Sequence, residues 1–147
     1  MREASEKDCR KLAEFAEEIL RESYQVVAVR TEQYYRRMLA EQKSEHGGIG
    51  MIEKNGKLVG SFFFAKEETY EIREPLLKKG EEEALPQAVF WLTKGNEAIF
   101  CDGWNLDVHN IKKSVTEERD RPLIMARLLY LPGFLRVFVQ GQHFPLQ

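Results

Sequence analysis

The spacing of apolar residues along the first forty positions predicts two amphipathic helices. From Cys9 to Leu20 apolar side chains recur every three or four positions, as on the buried face of a helix. Ser5 precedes this stripe as an N-cap, and Asp8 stands where it can complete a capping box. A second helix is expected to begin at Thr31. Its expected buried positions are Tyr34, Tyr35, Met38 and Leu39.

A β-hairpin is the strongest local signal in the chain. Two runs of strand-forming residues flank Asn55-Gly56, the pair that best tolerates the positive φ angles of a type I′ turn. The second run is apolar on both faces, which predicts a central strand covered on both sides. The predicted strands here are 49–54, 57–65 and 70–77, and the valine-rich segment 24–30 could also be extended.

The later part of the chain predicts one more helix and further strands. Pro86 suits the first position of a helix that ends near Thr93, and Gly95-Asn96 can close it as a left-handed cap. The order of helices and strands predicts an α/β fold, of the α+β kind with a mixed sheet. Strands are expected at 98–102 and 122–131, and the buried side of the helix should carry Val89, Leu92 and, as a further candidate, Trp91.

Composition and charge exclude several classes of protein. Hydrophobic residues make up 43% of the chain, which is typical of a globular domain and too high for a disordered one. No uncharged apolar run approaches the roughly 18 residues that span a bilayer. Lys and Arg number 22 against 24 Asp and Glu, so the net charge is −2 and we expect no nucleic-acid partner. Because the N-terminus has no signal segment, we expect a cytoplasmic protein without a membrane partner.

Several short segments carry a more specific likeness to a known family. They are Arg2-Glu3-Ala4, Tyr34-Tyr35, Met38-Leu39-Ala40-Glu41-Gln42, Ser44-Glu45-His46-Gly47-Gly48, Asn55-Gly56-Lys57-Leu58-Val59-Gly60, Tyr70-Glu71-Ile72-Arg73-Glu74 and Leu123-Ile124-Met125-Ala126-Arg127-Leu128. In amino-acid sequence and order these segments resemble the central GNAT-like domain of the Eis-type (enhanced intracellular survival) N-acetyltransferases. The predicted order of elements is also similar to the GNAT acetyltransferase fold.

The resemblance implies a place for this chain in a longer protein. In that family an N-terminal GNAT domain binds acetyl-CoA and transfers the acetyl group to amines, and a central GNAT-like domain follows. A C-terminal domain resembling sterol carrier proteins closes the active site, and members often assemble as oligomers. By this likeness residues 1–131 are the GNAT-like domain, and the apolar tail 132–147 is the start of a sterol-carrier-like domain. The implied partners are the catalytic and sterol-carrier-like domains of the same chain, with a homo-oligomer as a further expectation.

The family's acetyl-CoA loop has a poor counterpart here. GNAT enzymes hold the pyrophosphate in a loop of the type Arg/Gln-x-x-Gly-x-Gly/Ala, where free N–H groups and the helix dipole bind the phosphates. The matching stretch 74–85 contains one glycine, Gly80, and then three carboxylates, 81–83. Each would repel a phosphate charge by about 3 kcal/mol at about 6 Å and an effective dielectric near 20, which Lys78 and Lys79 could only partly offset. We therefore expect no catalytic and no cofactor-binding residues in this chain, and acetyl-CoA to be bound elsewhere in the family protein.

The remaining candidate chemistry is sparse. Tyr70, Glu71, Arg73 and Glu74 could line a substrate cleft or form an ion-paired strand edge that contacts another domain, with a solvated strand face as the alternative. His46 could act as a general base, although a histidine in a turn or cap is the simpler interpretation. Cys9 and Cys101 lack the spacing of a metal site, so we expect no metal and two small buried side chains.

Three functions follow for the chain. The first is a non-catalytic GNAT-like module of an N-acetyltransferase, which supports the substrate cleft and assembly. The second is an autonomous GNAT N-acetyltransferase with a degenerate acetyl-CoA loop that acts on a small amine. The third is a scaffold or binding module unrelated to acetylation. Binding of acetyl-CoA distinguishes the second from the other two.

Overall fold

The computed structural model describes residues 1–24, 27–66, 68–96 and 98–101, all of which lie in the unit Met1–Val115. After a 3₁₀ turn at Glu6–Asp8, the helices are α1 (Cys9–Ser23), α2 (Glu32–Ser44) and α3 (Ala84–Thr93). The strands are β1 (Arg2–Glu3), β2 (Gly48–Lys54), β3 (Lys57–Lys66), β4 (Tyr70–Leu77) and β5 (Ala98–Cys101). They form one sheet in the order β1-β2-β3-β4-β5, antiparallel except for the parallel pair β4–β5.

This architecture confirms the predicted mixed α/β sheet. The predicted strand 122–131, the domain boundary after residue 131 and the apolar tail lie outside the described residues. In the described part of the chain no helix has the length and apolar character needed to cross a membrane.

Helix α1 forms where the apolar stripe predicts it. The capping box at its entrance is present, because the backbone N–H and hydroxyl of Ser5 donate to the Asp8 carboxylate at 2.8 and 2.7 Å. Arg2 also binds this carboxylate and holds the pKa of Asp8 well below its usual range. The buried face of the helix consists of Cys9, Leu12, Phe15, Ala16, Ile19 and Leu20.

Helix α2 begins after Thr31, as predicted. The Thr31 hydroxyl accepts the Tyr34 N–H at 3.1 Å, and Tyr35 and Leu39 are buried against the sheet. In the valine-rich segment 24–30, which could be extended, Tyr24 has an extended backbone and residues 27–30 lie in no strand, while residues 25 and 26 lie outside the described residues. The backbone of residues 27–30 therefore crosses toward α2 without a ladder partner in the sheet.

Strand β3 is the centre of the fold. Successive side chains of a strand point to opposite faces. Phe63 accordingly joins the core beneath α1 and α2, while Phe62 and Phe64 join the core that α3 covers with Leu85 and Ala88. This confirms the prediction of a central strand covered on both sides. The hairpin turn is also confirmed, with φ of 51° at Asn55 and 76° at Gly56.

The start of α3 differs from the sequence prediction, since the helix begins at Ala84, two positions before Pro86, and Leu85 packs into the core. Its end agrees with the predicted closure by Gly95-Asn96. Gly95 has a φ of 87°, and the N–H and side-chain amide of Asn96 donate to the Thr93 carbonyl at 3.2 and 2.8 Å. Lys94, with a φ of 56°, is a further left-handed residue at this end.

The buried side of α3 also differs in part. Leu85 and Ala88 are buried, Val89 and Leu92 are half-buried, and the Trp91 side chain is 46% exposed. Its ring lies 4.8 Å from the ammonium group of Lys94, a cation–π contact at the surface. Trp91 is therefore a surface residue and not part of the core.

Candidate functional site

A bulge in β4 creates the densest group of polar side chains on this strand. Ser61 of β3 pairs with Leu76 and Phe63 pairs with Arg73, so the single residue Phe62 faces two residues of β4, Glu74 and Pro75. The extra residue bends the strand and redirects its side chains. Glu74 has a φ of 46°, in the left-handed region that few non-glycine residues occupy.

Glu74 meets a cation from a distant part of the chain. Nη1 of Arg30 lies 2.8 Å from Oε2 of Glu74, and the Arg30 side chain is only 17% exposed. Neither of these two atoms makes an aligned hydrogen bond within the described residues, so the contact is mainly Coulombic. Burial alone would lower the pKa of Arg30, but the charge of Glu74 and the neighbouring tyrosines outweigh it and the pKa is raised.

Two tyrosines of α2 surround this pair. The guanidinium carbon of Arg30 lies 5.8 Å from the centre of the Tyr34 ring, within the range of a cation–π contact. Tyr35, the second of these tyrosines, is buried, and its ring is stacked on that of Phe63 with the ring centres 6.0 Å apart. Burial raises the pKa of Tyr35 to about 12, although the charge of Arg30 acts in the opposite direction. The bulge thus holds a carboxylate, a guanidinium and a neutral phenol in one cluster.

The sequence-predicted residues Glu71 and Arg73 lie beside this cluster. Nη2 of Arg73 lies 2.8 Å from Oε2 of Glu71, and Nη1 lies 2.7 Å from Oε2 of Glu45 at the end of α2. The expected ion pair is therefore present, but the expected strand edge is wrong, because β4 lies between β3 and β5. Glu71 and Arg73 share one face of the sheet, since they are two positions apart and Ile72 fills the opposite core. Their contact with a substrate or another domain stays a prediction.

Tyr70, the fourth predicted site residue, lies at the other end of β4. Its half-buried ring packs against the core beneath α3 and is 5.0 Å from the ammonium group of Lys66. The two side chains border a shallow depression of about 390 Å³ together with Thr69 and Asn96. Tyr70 is thus separated from Glu74, and the structure does not bring the four predicted residues into one site.

The loop between β4 and α3 belongs to the stretch 74–85, which the resemblance matches to a pyrophosphate loop. Four of its backbone donors are engaged, those of Gly80, Glu81, Ala84 and Leu85. The Gly80 N–H donates to Oε1 of Glu82 at 2.9 Å. The N–H groups of Glu81, Ala84 and Leu85 donate to the carbonyls three residues earlier, at 3.0, 3.0 and 3.2 Å. Donors that are usually free at the start of a helix are therefore satisfied by the chain itself.

The charges near this loop are also paired. Oε2 of Glu81 lies 2.8 Å from Nζ of Lys54, across from the end of β2. Nζ of Lys78 lies 2.6 Å from Oε1 of Glu18 on α1, so this lysine is turned away from the loop carboxylates. Lys78 therefore does little to offset the negative charge of residues 81–83.

The other candidate residues lie in a turn or in the core, which favours a structural role for them. His46 is exposed with a φ of 55°, and its N–H donates to the Lys43 carbonyl in the turn after α2. This favours the turn interpretation. Cys9 is fully buried, and burial raises the pKa of its thiol. Among the residues that the structure describes, no cluster of three metal-ligating side chains occurs. His109, His143 and the predicted strand at 122–131 lie outside them.

Sequence reasoning missed Arg30 and Tyr35 as members of the site. Arg30 contacts Glu74 only because the bulge turns that carboxylate toward the connection before α2. A weak signal was present, since Arg30 ends the apolar run Val26-Val27-Ala28-Val29. A charged residue in such a position needs a partner if it is to be buried.

Comparison with known proteins supports the fold. No protein-family model matches the sequence, and no curated protein matches it either. The structure is similar to that of a possible acetyltransferase from Clostridium difficile 630, with a TM-score of 0.59 and 13% identity over 88% of this chain and 97% of that one. A ribosomal-protein-alanine N-acetyltransferase from Brucella melitensis gives a TM-score of 0.55 and 13% identity, over 77% of this chain and 80% of that one.

The chain has the GNAT fold. A second ribosomal-protein-alanine N-acetyltransferase structure, from Brucella melitensis biovar Abortus 2308, is similar with a TM-score of 0.56, at 10% identity over 85% of this chain and 95% of that one. Because the identities are this low, the likeness is one of fold. What the GNAT fold does in this chain depends on the loop and the bulge described above.

Proposed function

We propose that this chain is a non-catalytic GNAT-fold module of an Eis-type N-acetyltransferase, and that it does not hold acetyl-CoA itself. The observation that carries the proposal is the loop between β4 and α3, where Glu82 occupies the Gly80 N–H. In this proposal the module shapes the amine cleft and supports assembly. The acetyl group is supplied by a separate GNAT domain with an intact glycine loop.

The residues of the loop do not fit a pyrophosphate. A phosphate binds at such a loop through several free N–H groups. Here the N–H groups of Gly80, Glu81, Ala84 and Leu85 are committed to the chain. A phosphate would have to break these hydrogen bonds and displace the Glu82 carboxylate. It would also meet repulsion of about 3 kcal/mol for each unit charge held at about 6 Å, at an effective dielectric near 20.

The acidic side chains suit a supporting role toward amines. Glu45 and Glu71 both bind Arg73, which leaves this group of three with one net negative charge on the face shared with α2. Such a surface attracts a cationic acceptor or a basic neighbouring domain. The proposed partners are therefore the catalytic GNAT domain, the sterol-carrier-like domain and a further copy of the protein, in the cytoplasm.

Calorimetric titration with acetyl-CoA tests the proposal. We expect no heat of binding to the wild-type protein at acetyl-CoA concentrations up to the millimolar range. A GNAT enzyme with an intact glycine loop, titrated in the same buffer, is the positive control. A dissociation constant in the low micromolar range for this chain would overturn the proposal.

An autonomous GNAT N-acetyltransferase acting on a small amine is the second candidate. It is favoured by the coverage of 97% of the Clostridium difficile protein, since a single GNAT fold makes up that whole structure. This function requires both acetyl-CoA binding and turnover by the isolated chain, so the same titration decides between the two.

A scaffold unrelated to acetylation is the third candidate. It shares the expected lack of acetyl-CoA binding, so it needs a different test. The genomic sequence on both sides of the coding region provides it. An upstream GNAT domain with an intact glycine loop supports the first proposal, whereas an unrelated reading frame on each side favours the scaffold.

A further inference from the structure

Arg30 joins the connection before α2 to the bulge of β4. Its neighbours in the sequence contribute little to this contact, because Ala28 is exposed and the Val29 side chain is 82% exposed. The Arg30 side chain is 17% exposed and reaches Glu74. Val27 packs against the core beneath α1 and α2, whereas residues 28–30 are held to the sheet by the charged side chain of Arg30.

We infer that Arg30 acts as an internal cationic ligand, which fills a site formed by the Glu74 carboxylate and the Tyr34 ring and so latches residues 28–30 onto the bulge. The same site accepts a guanidinium ion from solution when the Arg30 side chain is removed. This inference does not depend on acetyl-CoA or on the proposed function.

The chemistry of the two partners suits a guanidinium group. A carboxylate supplies the opposite charge, and an aromatic face supplies a cation–π contact. The Tyr35 phenol nearby is neutral at physiological pH, and burial raises its pKa to about 12. Glu74 therefore carries the charge that balances the guanidinium.

The backbone at Glu74 supports the latch. A non-glycine residue in the left-handed region is strained, and such strain persists only where the surrounding structure enforces it. Here the φ of 46° brings the Glu74 carboxylate to Arg30. Because Nη1 and Oε2 lack an aligned hydrogen bond, the attraction is mainly between charges. A free guanidinium can therefore replace Arg30 without reproducing one fixed geometry.

A depression of about 400 Å³ lies beside this site. It is lined by Val29, Thr31, Gln33, Tyr34 and Arg37, so it shares Tyr34 with the site but is not lined by Arg30 or Glu74. The Arg37 side chain is 71% exposed and lies 4.0 Å from Glu41, so it is a surface cation outside the site.

Limited proteolysis with chemical rescue tests the latch. Thermolysin cleaves before exposed aliphatic residues, and we expect about tenfold faster cleavage at the 28–29 bond in Arg30→Ala than in wild type, because the segment opens locally. Ethylguanidinium at millimolar concentration should slow this cleavage toward the wild-type rate. Ethylurea, its neutral analogue, should not. Arg37→Ala is the matched control and should be cleaved at the wild-type rate with or without either additive.

A second variant keeps the test decisive if Arg30→Ala does not fold. Glu74→Gln retains the shape of the side chain and removes the charge, and we expect it to speed the same cleavage. Rescue by ethylguanidinium should also be lost when Glu74→Gln is combined with Arg30→Ala. Wild-type cleavage rates in both single variants would overturn the inference. So would rescue by ethylurea, or rescue that survives in the double variant.

Discussion

In the bulge of β4 a cationic side chain of the protein meets a carboxylate, and in the loop that follows this strand an anionic side chain meets a backbone N–H. At the bulge, a carboxylate is redirected into the protein and a guanidinium from another part of the chain is buried against it. In the loop, a backbone N–H that would suit an external anion is given to the side chain of Glu82. In both places a group of the chain itself occupies the position that a ligand of the same charge would take.

The two regions differ in how strongly they are held. Arg30 is mostly buried, so its loss leaves Glu74 without compensation in a poorly solvated place. Glu82 is half-buried and acts through one hydrogen bond at the surface of the fold. We therefore expect the Arg30–Glu74 pair to contribute more to the stability of the fold than the hydrogen bond of Glu82, whose proposed role is to keep the Gly80 N–H from an external anion.

Removal of Arg30 should produce the largest effect. We expect Arg30→Ala to lower the free energy of unfolding by about 2 to 3 kcal/mol, somewhat less than for a fully buried pair because Glu74 is 37% exposed. Chemical denaturation measures this change, with Arg37→Ala as the control. An effect below about 0.5 kcal/mol would show that the bulge is held no more strongly than a surface pair.

Alkaline pH should cause the second effect, a loss in the free energy of unfolding through Tyr35. The pKa of Tyr35 is raised in the folded state, so its contribution is full below the ordinary value near 10 and is lost as the pH rises toward about 12. We expect a loss of up to about 1.4 kcal/mol per pH unit in this window, beyond the loss seen in Tyr35→Phe. Denaturation curves between pH 9 and about 12 measure the difference. If the free energy of unfolding fell equally with pH in the wild type and in Tyr35→Phe, the burial of this phenol would be contradicted.

Glycine at position 74 separates backbone strain from the ion pair. In the Arg30→Ala background the pair is already broken, so Glu74→Gly should stabilise the protein by about 1 kcal/mol through relief of the left-handed backbone. In the wild-type background the same change should destabilise it, because the pair is lost. A double-mutant cycle measures both effects. Destabilisation of equal size in both backgrounds would contradict the account of the bulge.

The loop should show the smallest effect on stability. We expect Glu82→Gln to lower the free energy of unfolding by about 0.5 to 1 kcal/mol, because the Gly80 N–H loses a charged acceptor. Glu83→Gln is the matched control, since its exposed side chain should change stability little. Equal effects of the two substitutions would show that Glu82 has no special place in the loop.

The sequence predicted the parts of the fold that depend on local spacing. The helix stripe from Cys9, the Asn55-Gly56 turn and the two-sided run of β3 all depend on residues near one another. The bulge at Glu74 depends instead on the register between two strands, which no local pattern records. The single glycine of the stretch 74–85 was visible in the sequence, but the hydrogen bond from the Gly80 N–H to Glu82 requires the folded turn.

Within the candidate site, the contacts of Arg30 also depend on the fold and not on a local sequence pattern. Its partners come from β4 and from α2, so only the tertiary structure brings the cluster together. The ion pair of Glu71 and Arg73 could be predicted because the two residues lie two positions apart in the sequence. The ion pair of Arg73 with Glu45 could not, because it joins two elements. Sequence reasoning thus identified pairs within one strand and missed contacts between elements.

The amide signal of Gly80 reports directly on whether the loop between β4 and α3 binds acetyl-CoA. In a ¹H–¹⁵N spectrum of the labelled wild-type protein, we expect the signals of Gly80 and residues 81–85 to stay in place as acetyl-CoA is added to millimolar concentration. Glu82→Gln should shift the Gly80 signal without any ligand, whereas Glu83→Gln should leave it nearly unchanged. A saturable shift of the wild-type Gly80 signal with acetyl-CoA would show that the loop binds phosphate and would contradict the account.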